Sequence, residues 1–194
     1  MIRQIAILVL AAASTACTSM GRVEQGAALA PSANQTIFVI GVKPDNYRVS
    51  VFPGSVKEGV FRQNLLLPAT FYGASEGGYV IGKTGSTNPL AITNVRVVSS
   101  ESSIMGADFI PCEGAKTVVF SLAKGRVVYL GDLTYDFAGN GLRIIESTDL
   151  EAARKHLRAN YPQLADALAQ GRYELLPTSL SCSQSITIPV YLPG

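Results

Sequence analysis

The sequence has no tryptophan, one histidine and three cysteines in 194 residues. With a single histidine and acidic residues that stand singly, no spacing suited to a zinc site can be drawn. Charge is scarce too: 15% of residues are charged, 16 basic against 14 acidic, for a formal net charge of +2. A nearly neutral chain without a block of like charge lacks the electrostatic footprint of a nucleic-acid binder or of a protein docked on anionic lipid. Long apolar runs are missing as well, since none approaches the ~20 residues that a membrane-spanning helix requires. Nothing in this composition calls for a cofactor, and no cofactor is expected.

What the chain does have begins at its start. Arg3 precedes the run Ile7-Leu8-Val9-Leu10-Ala11-Ala12-Ala13, and the small residues Ser14-Thr15-Ala16 lead to Cys17. One cation, a short apolar stretch and small residues are the layout of a secretory signal. With the cysteine directly after Ser-Thr-Ala, the segment resembles the lipobox of bacterial lipoproteins. That resemblance implies removal of residues 1–16 and lipidation of Cys17, with a diacylglyceryl thioether and an amide-linked acyl chain. Two or more chains anchor a protein stably, so the membrane is the first expected partner. Thr18 stands where an aspartate would favour the inner membrane, which implies the outer membrane, on its periplasmic face. An ordinary signal cut near Ala13 or Ala16 is the alternative. Residues 17–34, polar and without apolar periodicity, read as a lipidated N-terminus and flexible tether. Residues 35–194 are enough for a single domain with a real core.

Two cysteines then remain, Cys112 and Cys182. An exported protein meets an oxidising compartment, and these two have only one way to pair. The closed loop has about 70 residues, worth about 4 kcal/mol in the chain-entropy model.

Past the tether the chain reads as short strands punctuated by Gly, Pro and Asn. Thr36–Val42 is a β-branched run. Tyr47–Val51 alternates strictly, with Pro53-Gly54 expected to close it as a turn. Val60–Arg62, Leu65–Tyr72, Gly78–Lys83 and Leu90–Ser99 are further strand candidates. Lys116–Leu122 and Gly125–Phe137 follow, and Asn140-Gly141 suits a type I′ hairpin leading into Leu142–Glu146. Thr148 is the expected N-cap of a helix, with Glu151 completing a capping box. Leu150, Ala153, Leu157 and Tyr161 share one stripe of that helix, opposite Glu151, Arg154, Lys155 and Arg158. Pro162 ends or restarts it, and Gln163–Gln170 reads as a second short helix. Ser185–Leu192 then alternates, with Ile186, Ile188, Val190 and Leu192 on one side; Pro189 places it at a sheet edge.

The segment FSLAKGRVVYLGDLTYDF, with the later STDLEAARKHLRANYP, resembles a pattern in uncharacterised bacterial lipoproteins. Those carry a transthyretin-like or carboxypeptidase-regulatory-like β-sandwich. The positions that match are Phe120, Gly125, Val128, Tyr129, Gly131 and Asp132, then Asp149, Ala152 and Leu157. The resemblance covers about a third of the chain and implies a fold, not an activity. The expected architecture is mainly β (α+β): a small antiparallel β-sandwich with one amphipathic helix or helical hairpin, at about residues 148–170, inserted before the C-terminal strand.

Three motifs point to chemistry. Gly77–Thr84 fits the phosphate-loop pattern, yet Tyr79, Val80 and Ile81 favour a strand where the motif needs a helix to follow. Nucleotide binding is therefore not expected. Gly73-Ala74-Ser75-Glu76-Gly77 fits the nucleophile elbow; Ser75 could act with His156 as base and Asp132 or Asp136 as orienter. Asp132, Asp136 and Asn140 are four apart, not the alternate positions of a calcium loop. The expectation that follows is a non-enzymatic, outer-membrane-anchored lipoprotein, a periplasmic binding or envelope-assembly module with an envelope protein as a further partner. A small exported serine hydrolase using Ser75 and His156 is the alternative.

Overall fold

The computed structural model describes residues 20–26, 33–100, 105–138 and 141–182. Cys17 with its leader, the Asn140 turn and the strand expected over Ser185–Leu192 lie outside the described residues. The rest is mostly β, in two sheets packed as a sandwich.

One sheet is built on β1 (Thr36–Lys43), flanked by β5 (Tyr79–Thr84) and β9 (Val127–Ala138), with β10 (Gly141–Ser147) beyond β9. Thr36–Val42 is buried at every residue. That continuous burial explains why β1 reads as an unbroken apolar run and not as an alternation: both faces of this sheet are covered. Phe38, Ile40, Val42, Leu130 and Leu133 point into the sandwich core, whereas Ile37, Val39, Val127 and Tyr129 face the other way. The outer layer is α1 (Leu150–Asn160) with the single turn α2 (Pro162–Ala165). The expected stripe is the buried one: Ala153, Leu157 and Tyr161 are at most 1% exposed, and Leu150 packs beside them.

The second sheet runs through β2 (Arg48–Lys57), β6 (Leu90–Val98) and β8 (Lys116–Phe120). Shorter strands complete it: β3 (Val60–Gln63), β4 (Phe71–Ala74), β7 (Gly106–Phe109) and β12 (Glu174–Pro177). Val49, Val51, Phe71, Leu90, Ile92, Val95, Val118 and Phe120 fill the space against the first sheet. Phe38 lies between Phe71 and Phe120, with ring centroids 6.0 and 5.6 Å away.

Several expectations are corrected. The sandwich is not purely antiparallel, because β1 and β9 pair in parallel. The intervening chain, which includes β2 to β8, supplies the long crossover that parallel neighbours need. Pro53-Gly54 does not turn; β2 continues through it and turns at Glu58-Gly59, both at positive φ. Gly54 is needed inside the strand because a Cβ there would stand 2.5 Å from the Phe61 ring. Leu65–Thr70 is loop rather than strand, and β4 starts at Phe71. The second short helix expected over Gln163–Gln170 is a single turn, Pro162–Ala165, and Leu168–Gln170 instead forms β11, parallel to β9, with Leu168 buried in the layer beneath α1.

The segment Met20–Gly26, assigned to the flexible tether from sequence, is docked. Met20 exchanges backbone hydrogen bonds with Tyr72 of β4, at 2.8 and 3.0 Å. Three residues on, Val23 N–H donates to Ile81 of β5 at 3.0 Å, and the Val23 side chain is fully buried. This short stretch thereby stitches an edge of one sheet to an edge of the other. Cys112, between β7 and β8, and Cys182, beyond β12, form a disulfide with Cα atoms 5.1 Å apart.

Candidate functional site

A cleft of about 470 Å³ opens where the end of β1, the Gly77-Gly78 turn, β9 and the start of α1 converge. Lys43, Tyr79, Asp132, Ser147, Thr148 and Asp149 bring polar groups to its walls. Their placement follows from the local sequence. Gly41 interrupts the apolar run of β1, and a Cβ there would lie 1.9 Å from Asp132 Oδ1. The missing side chain is what lets the Asp132 carboxylate lie across β1. An isolated glycine inside a strand signals such a close approach.

Behind Asp132 stands Tyr129, fully buried, whose hydroxyl oxygen accepts from the Asp149 backbone N–H at 3.0 Å. The same hydroxyl is hydrogen-bonded to the Asp132 carboxylate. Burial foremost, then Asp132, pushes the Tyr129 phenol well above its ordinary value. Tyr79 is raised for the same reasons, by burial first and then by the charges of Asp132 and Asp149. Both phenols thus stay protonated donors across the physiological range, beside two carboxylates that accept. Asp149 does a second job, as its side chain accepts from Ala152 N–H at 2.9 Å and caps α1. The cap is therefore Asp149 and not Thr148, whose hydroxyl lies beside Gly131 instead.

Next to this cleft is a second polar group of residues. Glu76 pairs with Arg22 from the docked N-terminal segment and accepts from the Tyr161 hydroxyl at 3.1 Å. Burial, and then Glu76, pushes the Tyr161 phenol up to about 12. His156 lies against Tyr79, ring centroids 4.7 Å apart, and fits only because position 77 is glycine: a Cβ there would be 2.9 Å from His156 Cε1. Its Nε2 is buried without a hydrogen-bond partner among the described residues. Burial pulls the imidazole below its ordinary value, against the opposing charge of Glu76.

The residues proposed for a hydrolase thus reach one end of the domain without forming a relay. The buried Ser75 hydroxyl donates to the Asp45 carbonyl at 3.0 Å, and no hydrogen bond joins Ser75 to His156 among the described residues. Asp132 faces the cleft, while Asp136 pairs with Arg143 on the exposed surface. The chain after Ser75 turns at Gly77-Gly78 into β5, so the helix that both the elbow and the phosphate loop require is replaced by a strand. Lys83 and Thr84, the end of the phosphate-loop pattern, pair with Ile37 and Thr36 of β1.

Tyr79, Asp149, Glu76, Arg22 and Tyr161 were not marked as site residues by the sequence. They come from three segments far apart in the chain, the N-terminal stretch, the turn before β5 and the two ends of α1, that only the fold brings together. Compared with family models, curated proteins and solved structures, the chain matches none.

Proposed function

We propose that the protein is a lipid-anchored, non-catalytic binding module of the bacterial envelope, held at the outer membrane through Cys17. The observation that carries the anchor is sequence-based: a cysteine directly after small residues at the end of a leader-length apolar run. The likeness to lipoproteins bearing a transthyretin-like sandwich belongs to this proposal. No helix among the described residues is long and apolar enough to cross a membrane.

The binding half of the proposal rests on the cleft between β1, β9 and α1. Asp132 and Asp149 offer acceptors, Lys43 offers a cation, and Tyr79 adds a protonated hydroxyl. That set suits a small polar ligand that carries an ammonium or hydroxyl donor together with an acceptor. Recognition by hydrogen bonding is supported over hydroxyl nucleophilicity because the Ser75 hydroxyl donates to the Asp45 carbonyl and no hydrogen bond among the described residues joins it to a base.

Fractionation tests the anchor. Wild-type protein should partition with outer membranes and carry an acyl-modified Cys17 by intact mass, and Cys17→Ser should move it to the soluble fraction. An unmodified sulfur at position 17 in native protein would overturn the assignment. The cleft is tested by nuclear magnetic resonance titration of the soluble domain with diamines, lysine and disaccharides. Shifts confined to Lys43, Tyr79 and Asp132, abolished in Lys43→Ala/Asp132→Asn, support it; identical responses in both proteins count against it.

A further inference from the structure

Three leucines in a row stand in solvent. Leu65, Leu66 and Leu67 are 78%, 93% and 41% exposed, in the loop that joins β3 to β4. A single exposed apolar side chain needs no explanation, but a consecutive run of them on a folded domain does. The loop is pinned at both ends to β2: Asn64 N–H donates to the Pro53 carbonyl at 2.9 Å, and Thr70 N–H to the Val51 carbonyl at 2.7 Å. Within it the Asn64 side chain accepts from Leu66 N–H at 3.0 Å, and the Asn64 carbonyl accepts from Leu67 N–H at 3.3 Å. Such an asparagine turn sets the direction of the chain. Every residue from Asn64 to Pro68 is exposed, so the loop is a built protrusion with an apolar tip.

The same sheet edge receives the N-terminal segment. Met20, itself 46% exposed, pairs with Tyr72, and a Cβ on Gly21 would stand 1.9 Å from the carbonyl oxygen of Thr70, where the loop ends. Cys17 is three residues before Met20, so chain length keeps it within about 11 Å of that edge. A lipid at Cys17 therefore brings this edge, and the leucine loop with it, close to the bilayer. The chemistry of the loop suits that surroundings. No carboxylate occurs between Glu58 and Glu76, and Arg62 is the one charged residue in the interval. The Leu66 and Leu67 amides are already paired within the turn, so they enter an apolar layer without stranding a donor.

We propose that the Leu65–Leu67 loop inserts into the near leaflet of the bilayer as a second membrane contact beside the lipid on Cys17. The proposal takes its location from the anchor proposed above, whereas the loop's own affinity for lipid is independent of it. Two or more acyl chains already hold a protein at a membrane, so the loop's part is orientation. It turns a swivelling attachment at one residue into a two-point contact that keeps the β4 edge toward the lipid. The interaction is apolar, in keeping with a chain that has no basic patch for anionic headgroups.

Two measurements separate the loop from the anchor. In the first, the chain carrying Cys17→Ser, and hence no lipid, is mixed with vesicles of phosphatidylethanolamine and phosphatidylglycerol. It should bind at millimolar lipid, and adding Leu65→Gln with Leu66→Gln should weaken binding at least about ten-fold. Adding Met105→Gln with Ile145→Gln instead, which removes two other exposed apolar side chains, should leave binding unchanged. In the second, Leu66→Cys in the lipid-bearing protein is reacted with a water-soluble maleimide. The reaction should be at least about ten-fold slower in isolated envelopes than after release into detergent, while Met105→Cys reacts equally in both. No vesicle binding by the lipid-free chain, or equal binding by its leucine variant, would overturn the proposal. Slowed labelling in envelopes without vesicle binding would also overturn it and assign the loop to a protein partner. An unmodified Cys17 alongside leucine-dependent vesicle binding would remove the anchor and uphold the loop's contact with lipid.

Discussion

The Tyr161 hydroxyl donates to Glu76 Oε2 at 3.1 Å, across 85 residues of sequence. Glu76 also holds Arg22, so one carboxylate ties the end of α1, the turn before β5 and the N-terminal segment together. Glu76→Ala leaves Arg22 Nη1 and the Tyr161 phenol without their carboxylate acceptor, while Arg22 Nη2 still donates to the Ala74 carbonyl. It should lower unfolding free energy by about 1–3 kcal/mol, against about 0.5–1.5 for Tyr161→Phe. Urea denaturation measures both. Limited proteolysis should also cut near Arg22 sooner in Glu76→Ala than in Tyr161→Phe, since only the former removes the ion pair of Arg22.

The cap of α1 offers a sharper test of a single position. Asp149→Ala should cost about 0.5–2 kcal/mol, because the Ala152 N–H loses its side-chain acceptor. Thr148→Ala should cost far less in the same denaturation experiment. Reversed magnitudes would return the cap to Thr148.

His156 sets an expectation for pH. Its pKa is lowered in the folded state from 6.5, chiefly by burial. A base that is harder to protonate when folded leaves the unfolded chain binding more protons, so its stabilising contribution is whole above pH 6.5 and declines as pH falls below it. Thermal unfolding between pH 7.5 and 5 should show a steeper acid-side loss in the wild type than in His156→Gln. Parallel curves would show that the buried Nε2 carries no such penalty.

Breaking the Cys112–Cys182 bond releases a loop whose ends are 70 residues apart in sequence. Reduction, or Cys112→Ser with Cys182→Ser, should lower stability by about 2–4 kcal/mol. Denaturation with and without reductant measures this. An unchanged midpoint for the oxidised and reduced wild type would show that the bond does not constrain the unfolded chain.

The polar cleft was only partly legible in the sequence. Gly41 within an apolar strand and Gly77 before β5 are visible irregularities, yet which side chain fills each space is decided by a distant segment: Asp132 over Gly41, His156 over Gly77. The docked N-terminal segment was missed for a similar reason. Met20–Gly26 has no periodicity, because it crosses between two sheet edges and buries a single side chain, Val23. The β11 strand was missed because three residues after a helical turn are too few to show an alternation, and their pairing with β9 is non-local.

The sequence alone determined what depends on near neighbours along the chain: the apolar runs that became β1, β5, β6 and β9, the stripe that buries α1, and the one cysteine pairing available after Cys17. Those features arise from periods of two and 3.6 residues and from elimination, which short windows reveal. Tertiary structure decided that β1 runs parallel to β9, that one carboxylate joins Arg22 to Tyr161, and that Ser75 turns to Asp45 and not to His156. Each of these is a contact between segments far apart in the chain. Only the packing of complete sheets and their covering helix selects among the many partners that such residues could have had.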